Sequence, residues 1–146
     1  MSLLNKKIEN FTLPDENGNL FELASLKGKK LIVFYPGDDT PTCTKQLCSY
    51  SSGFEEFVNL GVHIIGINQD SIESHKKFKE KYKLKFPLLS DPEKKVIKLF
   101  RAYGLLGTKR ATFLLNEENI VIFENDTFPV FYKDKEEILK EIKKLL

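Results

Sequence analysis

Two apolar runs, Lys30-Leu31-Ile32-Val33-Phe34-Tyr35 and Val62-His63-Ile64-Ile65-Gly66-Ile67, constrain this chain more than any other feature. Neither alternates apolar with polar residues, so each reads as a strand covered on both faces. Pro36, which has no N–H to give to a ladder, ends the first run. Between them, from about Cys43, apolar residues recur at Leu47, Tyr50, Phe54, Phe57 and Val58, the spacing of one helix face, with Gly61 as the stop.

The flanking segments extend this pattern. Pro14-Asp15-Glu16-Asn17-Gly18-Asn19 is a turn between short apolar pieces, the mark of a small hairpin. Asp70 or Ser71 caps a helix that turns Ile72, Phe78 and Tyr82 inward and its lysines outward. A short strand follows around Phe86-Pro87-Leu88-Leu89, then a helix opened by Asp91-Pro92, a cap with proline at the first helical position. Ala111-Thr112-Phe113-Leu114-Leu115 and Ile120-Val121-Ile122-Phe123 flank a turn at 116–119 as an antiparallel hairpin. Asp134, with Glu137 three residues on, starts a last amphipathic helix. The order predicts one α/β domain over residues 1–146, with helices on both faces of a mixed central β-sheet. A thioredoxin-like fold is one candidate that satisfies it.

Charge excludes several roles. The 146 residues carry 23 basic and 21 acidic side chains, a net +2, too near balance for a nucleic-acid or anionic-membrane footprint. The start, MSLLNKKIEN, lacks the apolar core of a signal peptide, and no run approaches a membrane span. The expected compartment is the cytoplasm, where thiols stay reduced and cysteines serve catalysis, metals or packing rather than structural disulfides.

Both cysteines, Cys43 and Cys48, lie in "FYPGDDTPTCTKQLCSY". Their spacing is not the Cys-x-x-Cys of a disulfide exchanger. Cys43 stands where a loop becomes a helix, so unpaired N–H groups and the positive dipole end favour its thiolate. Thr40 can turn its hydroxyl toward that sulfur or toward a bound oxygen, and Pro36 offers an apolar wall. In an ideal helix the Cα atoms of residues five apart are about 8.7 Å from each other. A disulfide tolerates only about 4.4–6.8 Å.

The Pro36, Thr40, Cys43 pattern resembles the active-site motif of the peroxiredoxins, thiol peroxidases on a thioredoxin fold. With Cys48 five residues on, the chain is most similar to the bacterioferritin-comigratory, or Q-type, branch. "FTLPDENGNLFELASLKGKKLIVFYP", "GINQDSIESHKKFKEKYKLKFPLLSDPEKKV" and "KRATFLLN" extend the resemblance over nearly the whole chain. It implies that Cys43 is the peroxidatic nucleophile and that Arg110 stabilises its thiolate and the transition-state charge. Thr40 and the Cys43 N–H would position the peroxide, with Pro36 shielding the sulfur. Cys48 would resolve the sulfenic acid to an intramolecular disulfide. The implied partners are a peroxide, hydrogen peroxide or an organic hydroperoxide, and thioredoxin or a similar dithiol. No cofactor or metal is implied, and the expected state is a monomer or at most a weak homodimer. Gln46 departs from the branch, where many members carry Glu, and "RAYGLLGTKR" is shorter than the usual segment before the arginine.

Plainer roles stand beside these. Cys43 could be inert and buried, and Cys48 could face the core and leave a one-cysteine peroxidase. Arg110 could be a surface partner of a carboxylate, Thr40 a turn residue and Pro36 only a strand end. A non-enzymatic peroxide sensor or holdase would carry the same thiols. His63, inside an apolar strand, is expected in the core, and His75, on a lysine-rich helix, in solvent. The two cysteines and two histidines are not grouped at zinc-ligand spacing.

Overall fold

The structure, a computed structural model, describes residues 2–127 and 132–145. Strands β1 (Thr12–Pro14) and β2 (Leu20–Glu22) form the N-terminal hairpin. The apolar runs become β3 (Lys29–Phe34) and β4 (Val62–Asn68), paired parallel, with α1 (Pro41–Ser52) and α2 (Phe54–Asn59) between them. Next come α3 (Ile72–Tyr82), β5 (Leu88–Ser90) and α4 (Lys95–Leu99). A small hairpin of β6 (Tyr103–Gly104) and β7 (Gly107–Thr108) precedes β8 (Arg110–Leu115), β9 (Val121–Thr127) and α5 (Lys135–Lys144). The central sheet runs β5-β4-β3-β8-β9, parallel on the β5 side of β3 and antiparallel on the other. It is the mixed sheet that the strand order requires.

Strand β3 is buried on both faces, and its side-chain alternation divides the core in two. Ile32 and Phe34 join Val96 and Ile97 of α4 and Phe100, under the N-terminal segment. Leu31, Val33 and Tyr35 join Leu47 and Tyr50 of α1, Phe57 of α2, Phe78 of α3 and Ile138, Leu139 and Ile142 of α5. The same parity on β8 sends Ala111 and Phe113 to the first layer and Leu114 to the second. Arg110 and Thr112, an even number of residues from Leu114, therefore face α1.

Several local expectations change. The single helix from Cys43 to Gly61 is two helices broken at Gly53, over which the Lys135 side chain lies, and Val58 is left exposed. Ser71, not Asp70, caps α3 by accepting from Ser74 N at 3.1 Å. Asp91 does not sit next to its helix: α4 begins at Lys95 after a left-handed Lys94, and the Asp91 carboxylate reaches across the turn to Ile97 N at 2.8 Å. The histidines are reversed. His63, near the start of β4, is exposed, while His75 is fully buried on the inner side of α3. A strand end lies at the rim of a sheet, and one helical turn decides whether a histidine faces lysines or core; neither shows in local composition. No helix among the described residues is long and apolar enough to cross a membrane.

Gly66 sits in β4 where a Cβ would lie 2.8 Å from Leu88 Cδ2 and 3.3 Å from Tyr35 Cε1. Gly66→Ala therefore overpacks the layer behind α1 and should destabilise the fold by about 1–3 kcal/mol. Urea unfolding checks this through a lower midpoint at an unchanged slope.

Candidate active site

The site forms where the C-terminal end of β3 passes into α1. Thr40 is extended at the N-cap, Pro41 occupies the first helical position and Cys43 the third. Proline gives up no hydrogen bond there, and its fixed φ starts the helix. The first intrahelical bond is Thr44 N to Thr40 O at 2.9 Å, so the N–H groups of Thr42 and Cys43 precede any intrahelical acceptor. They and the helix dipole favour negative charge at the Cys43 sulfur. Asp39 turns the loop into the helix with φ +56°, a left-handed conformation that aspartate tolerates better than most residues. Its carboxylate accepts from Lys81 Nζ at 2.8 Å and Tyr82 Oη at 2.7 Å.

Cys43, Gln46, Leu47 and Tyr50 share the buried face of α1. Across from them, Arg110 is 3% exposed. Its Nη2 donates to Cys43 Sγ at 3.2 Å and its Nη1 to Gln46 Oε1 at 2.5 Å. Arginine only donates, so the Gln46 oxygen must face it. The Gln46 amide nitrogen then donates to Tyr50 Oη at 3.1 Å, and the Tyr50 hydroxyl donates in turn to the Lys133 carbonyl at 2.7 Å. Thr112, two residues along β8 from Arg110, also hydrogen-bonds Tyr50. A chain of polar contacts thus runs from the Cys43 sulfur through Arg110, Gln46 and Tyr50 to the start of α5. Burial pushes the Tyr50 hydroxyl up to about 12, against the lowering effect of Gln46 and Thr112.

The structure brings Cys43 and Arg110 into contact and places Thr40 and Pro36 in the loop beside them. The Thr40 hydroxyl does not point to the sulfur: it donates to the Gly37 carbonyl at 3.2 Å. Its lone pairs remain for an incoming hydrogen-bond donor. Pro36 is held through its carbonyl, which accepts from Gln69 Nε2 at 3.1 Å. Cys48 lies inside α1, half-buried and unbonded to Cys43, and burial raises its thiol above the ordinary range. Gln46 was visible in the sequence only as a departure from a family pattern. Thr112 and His75 were missed as neighbours of the site because they arrive from β8 and α3, and Tyr50 and Asp38 were read only as part of a helix face and of the loop before it. Among the described residues, no three His, Cys, Asp or Glu side chains group as metal ligands.

A cysteine sulfur held between a helix N-terminus and a buried guanidinium, on a thioredoxin-like fold, defines a thiol peroxidase. The comparisons agree. The AhpC/TSA family model matches residues 4–124, and the chain belongs to that family as a peroxiredoxin. It is 41% identical to a putative peroxiredoxin bcp of Coxiella burnetii, over 76% of this chain and 80% of that one. It is 44% identical to the chloroplastic peroxiredoxin Q of Oryza sativa subsp. japonica, over 82% of this chain, but spans only 58% of that protein's length. The bacterioferritin comigratory protein of Xanthomonas campestris, described for its alkyl peroxide reduction activity, superposes with a TM-score of 0.85. That match is 27% identical and covers 92% of this chain and 91% of the other.

Two outcomes test the geometry. Arg110→Ala should slow peroxide reduction on the order of 10²-fold, the cost of losing one preorganised donor. Arg110→Lys should recover little, because an ammonium cannot fork between Sγ and Oε1. Lys109→Ala, which removes only a 3.8 Å surface pair with Asp126, should leave the rate unchanged. Stopped-flow oxidation of the reduced protein distinguishes them. The second concerns alkaline stability. A raised folded-state value for Tyr50 stabilises the fold fully below about 10, and that contribution is lost as pH rises through about 12. Between pH 10 and 12, Tyr50→Phe should lose about 2 kcal/mol less stability than the wild type, measured by urea midpoints across that range.

Proposed function

We propose that the protein reduces hydrogen peroxide and organic hydroperoxides with Cys43 as nucleophile and Cys48 as resolving thiol. The observation that carries the reading is the 3.2 Å contact from Arg110 Nη2 to Cys43 Sγ at the N-terminus of α1. The thiolate attacks the terminal peroxide oxygen as the O–O bond breaks. Cys43 becomes a sulfenic acid, and the leaving oxygen takes a proton to depart as water or an alcohol. Arg110, the N–H groups of the first turn and the free lone pairs of Thr40 orient the peroxide and stabilise charge on its oxygens. Pro36 keeps water from the sulfur. The Cys48 sulfur then displaces hydroxide from the sulfenic acid, which leaves as water, and a dithiol such as thioredoxin reduces the disulfide. In this reading the protein works in the cytoplasm as a monomer or weak homodimer.

Both cysteines lie in α1, and residues five apart on a helix stand about 8.7 Å from each other at Cα, beyond the reach of a disulfide. α1 must therefore unwind for resolution. Its second half invites this: Ser49, Ser51, Ser52 and Gly53 are middling to poor helix formers. Thr44 Oγ1, buried without a hydrogen-bond partner, gains one on opening. Until then burial keeps Cys48 a weak nucleophile, so resolution waits on unwinding rather than competing with peroxide.

One equivalent of peroxide should remove two hydrogens from the intact mass with no dimer formed, and peptide mapping should join Cys43 to Cys48. Hydrogen exchange should lose protection mainly across residues 43–53. Cys48→Ser should still oxidise once and then stop as a sulfenic acid. Continued turnover of that variant with a dithiol at the wild-type rate would mean a one-cysteine peroxidase. Peroxide oxidation without turnover by a thioredoxin system would point to a sensor.

A further inference from the structure

A second polar network lies behind the active-site loop, joined to it by hydrogen bonds at Asp38 rather than at the sulfur. Its centre is Asp38. One carboxylate oxygen accepts from Tyr35 Oη at 2.7 Å and Asn68 Nδ2 at 3.4 Å. The other accepts from Ser74 Oγ at 2.8 Å and pairs with His75 Nδ1 at 2.6 Å. His75 is fully buried, and its Nε2 faces the Leu89 carbonyl at 3.0 Å. Asp38 already accepts from Tyr35, Ser74 and Asn68, so Nδ1 of His75 is the donor in their contact. Burial works to raise the Asp38 carboxyl, but the bond and charge of His75, with Tyr35 and Ser74, leave it lowered. Asp38 N completes the anchor by donating to Asp70 Oδ2 at 2.8 Å.

A buried polar pair of this kind is a poor source of net stability, because desolvation offsets the attraction. Its geometry is its use. α3 and the end of β5 are fixed by the core through Phe78 and Leu89. His75 ties Asp38 to both, and Asp38 lies between Pro36 and Thr40. The loop is also held at the Pro36 carbonyl by Gln69 and at the Asp39 carboxylate by Lys81 and Tyr82, at partly or fully exposed positions, whereas the tie from His75 to Asp38 is buried.

We propose that His75 is a positioning residue for peroxide reduction: through its bond to Asp38 it fixes the loop of residues 36–40, and so sets where Thr40 and the first turn of α1 hold the peroxide against Cys43. This rests on the reading of Cys43 as the nucleophile. Arg110 and the α1 dipole act on the sulfur without passing through His75. Loss of the tie should therefore impair alignment of the substrate while the sulfur keeps its reactivity toward an alkylating agent. Misplacement of a reactant by about 1 Å costs on the order of 10²-fold in rate.

The test compares two polar replacements. In His75→Asn the amide N–H lies near the place of Nδ1 and can still donate to Asp38. In His75→Gln the amide lies near the place of Nε2, meets Leu89 and leaves Asp38 without its partner. Each variant is oxidised by hydrogen peroxide in stopped flow and, separately, alkylated at Cys43 with iodoacetamide. The expected result is peroxide oxidation slowed about 10- to 100-fold in His75→Gln and within about 3-fold of wild type in His75→Asn. Alkylation should be unchanged or faster in both. Equal effects of the two replacements, no effect of either, or a proportional fall of both reactions would overturn the proposal. If either variant does not fold, Asp38→Ala removes the tie from the loop side. It must show the same peroxide-selective loss, and a peroxide rate within about 2-fold of wild type overturns the proposal. Cys43→Ser, assayed alongside, tests the underlying reading separately: retained peroxide consumption there ends that reading whatever the His75 variants do.

Discussion

A guanidinium inside a protein must be satisfied, and Arg110 is satisfied by the site. Leaving such a charge buried without partners would cost several kcal/mol. It is met instead by the Cys43 sulfur and the Gln46 oxygen, two groups three residues apart on one face of α1. This contact crosses from β8 to α1, so it links sheet and helix at the Cys43 sulfur. Further contacts follow from it. The orientation of Gln46 is fixed by Arg110, that of Tyr50 by Gln46, and through Tyr50 the start of α5 at Lys133.

Gln46 gives this network a character of its own. A neutral amide oxygen accepts from Arg110 without cancelling its charge, so the guanidinium keeps its full electrostatic effect on the sulfur. A carboxylate in the same place would share that charge. The arrangement depends on hydrogen-bond geometry more than on ion pairing, which makes it directional and intolerant of small displacements.

The same residues bear on the opening proposed for α1. Ser49 Oγ accepts from Lys135 N at 3.0 Å, Tyr50 donates to Lys133 O, and Ser51 Oγ accepts from Lys85 N at 3.1 Å. The helix that would unwind in the proposed cycle thus holds the start of α5 and the loop between α3 and β5. These polar ties oppose opening, whereas the serines and the orphaned Thr44 hydroxyl favour it. A helix poised in this way can be stable with a reduced sulfur and yield once a bond between the sulfurs becomes available.

The sequence alone determined the sheet, because β3 and β4 are short apolar runs whose burial on two faces admits few alternatives. It also pointed to Cys43 at a helix start, since Pro41 and the preceding turn residues act locally through φ preference and missing N–H groups. Arg110 was reachable only through likeness to a family, because nothing within its own strand says that it faces α1 rather than solvent. The tertiary structure decided the rest. The break at Gly53, the exposure of His63, the burial of His75 against Asp38 and the Arg110–Gln46–Tyr50 chain each depend on which side chain arrives from another element. Partners such as Asp38 for His75 and Gln46 for Arg110, 37 and 64 residues away, leave no period or local composition to read. Helix and strand patterns record which face is buried, and only the packed fold records against what.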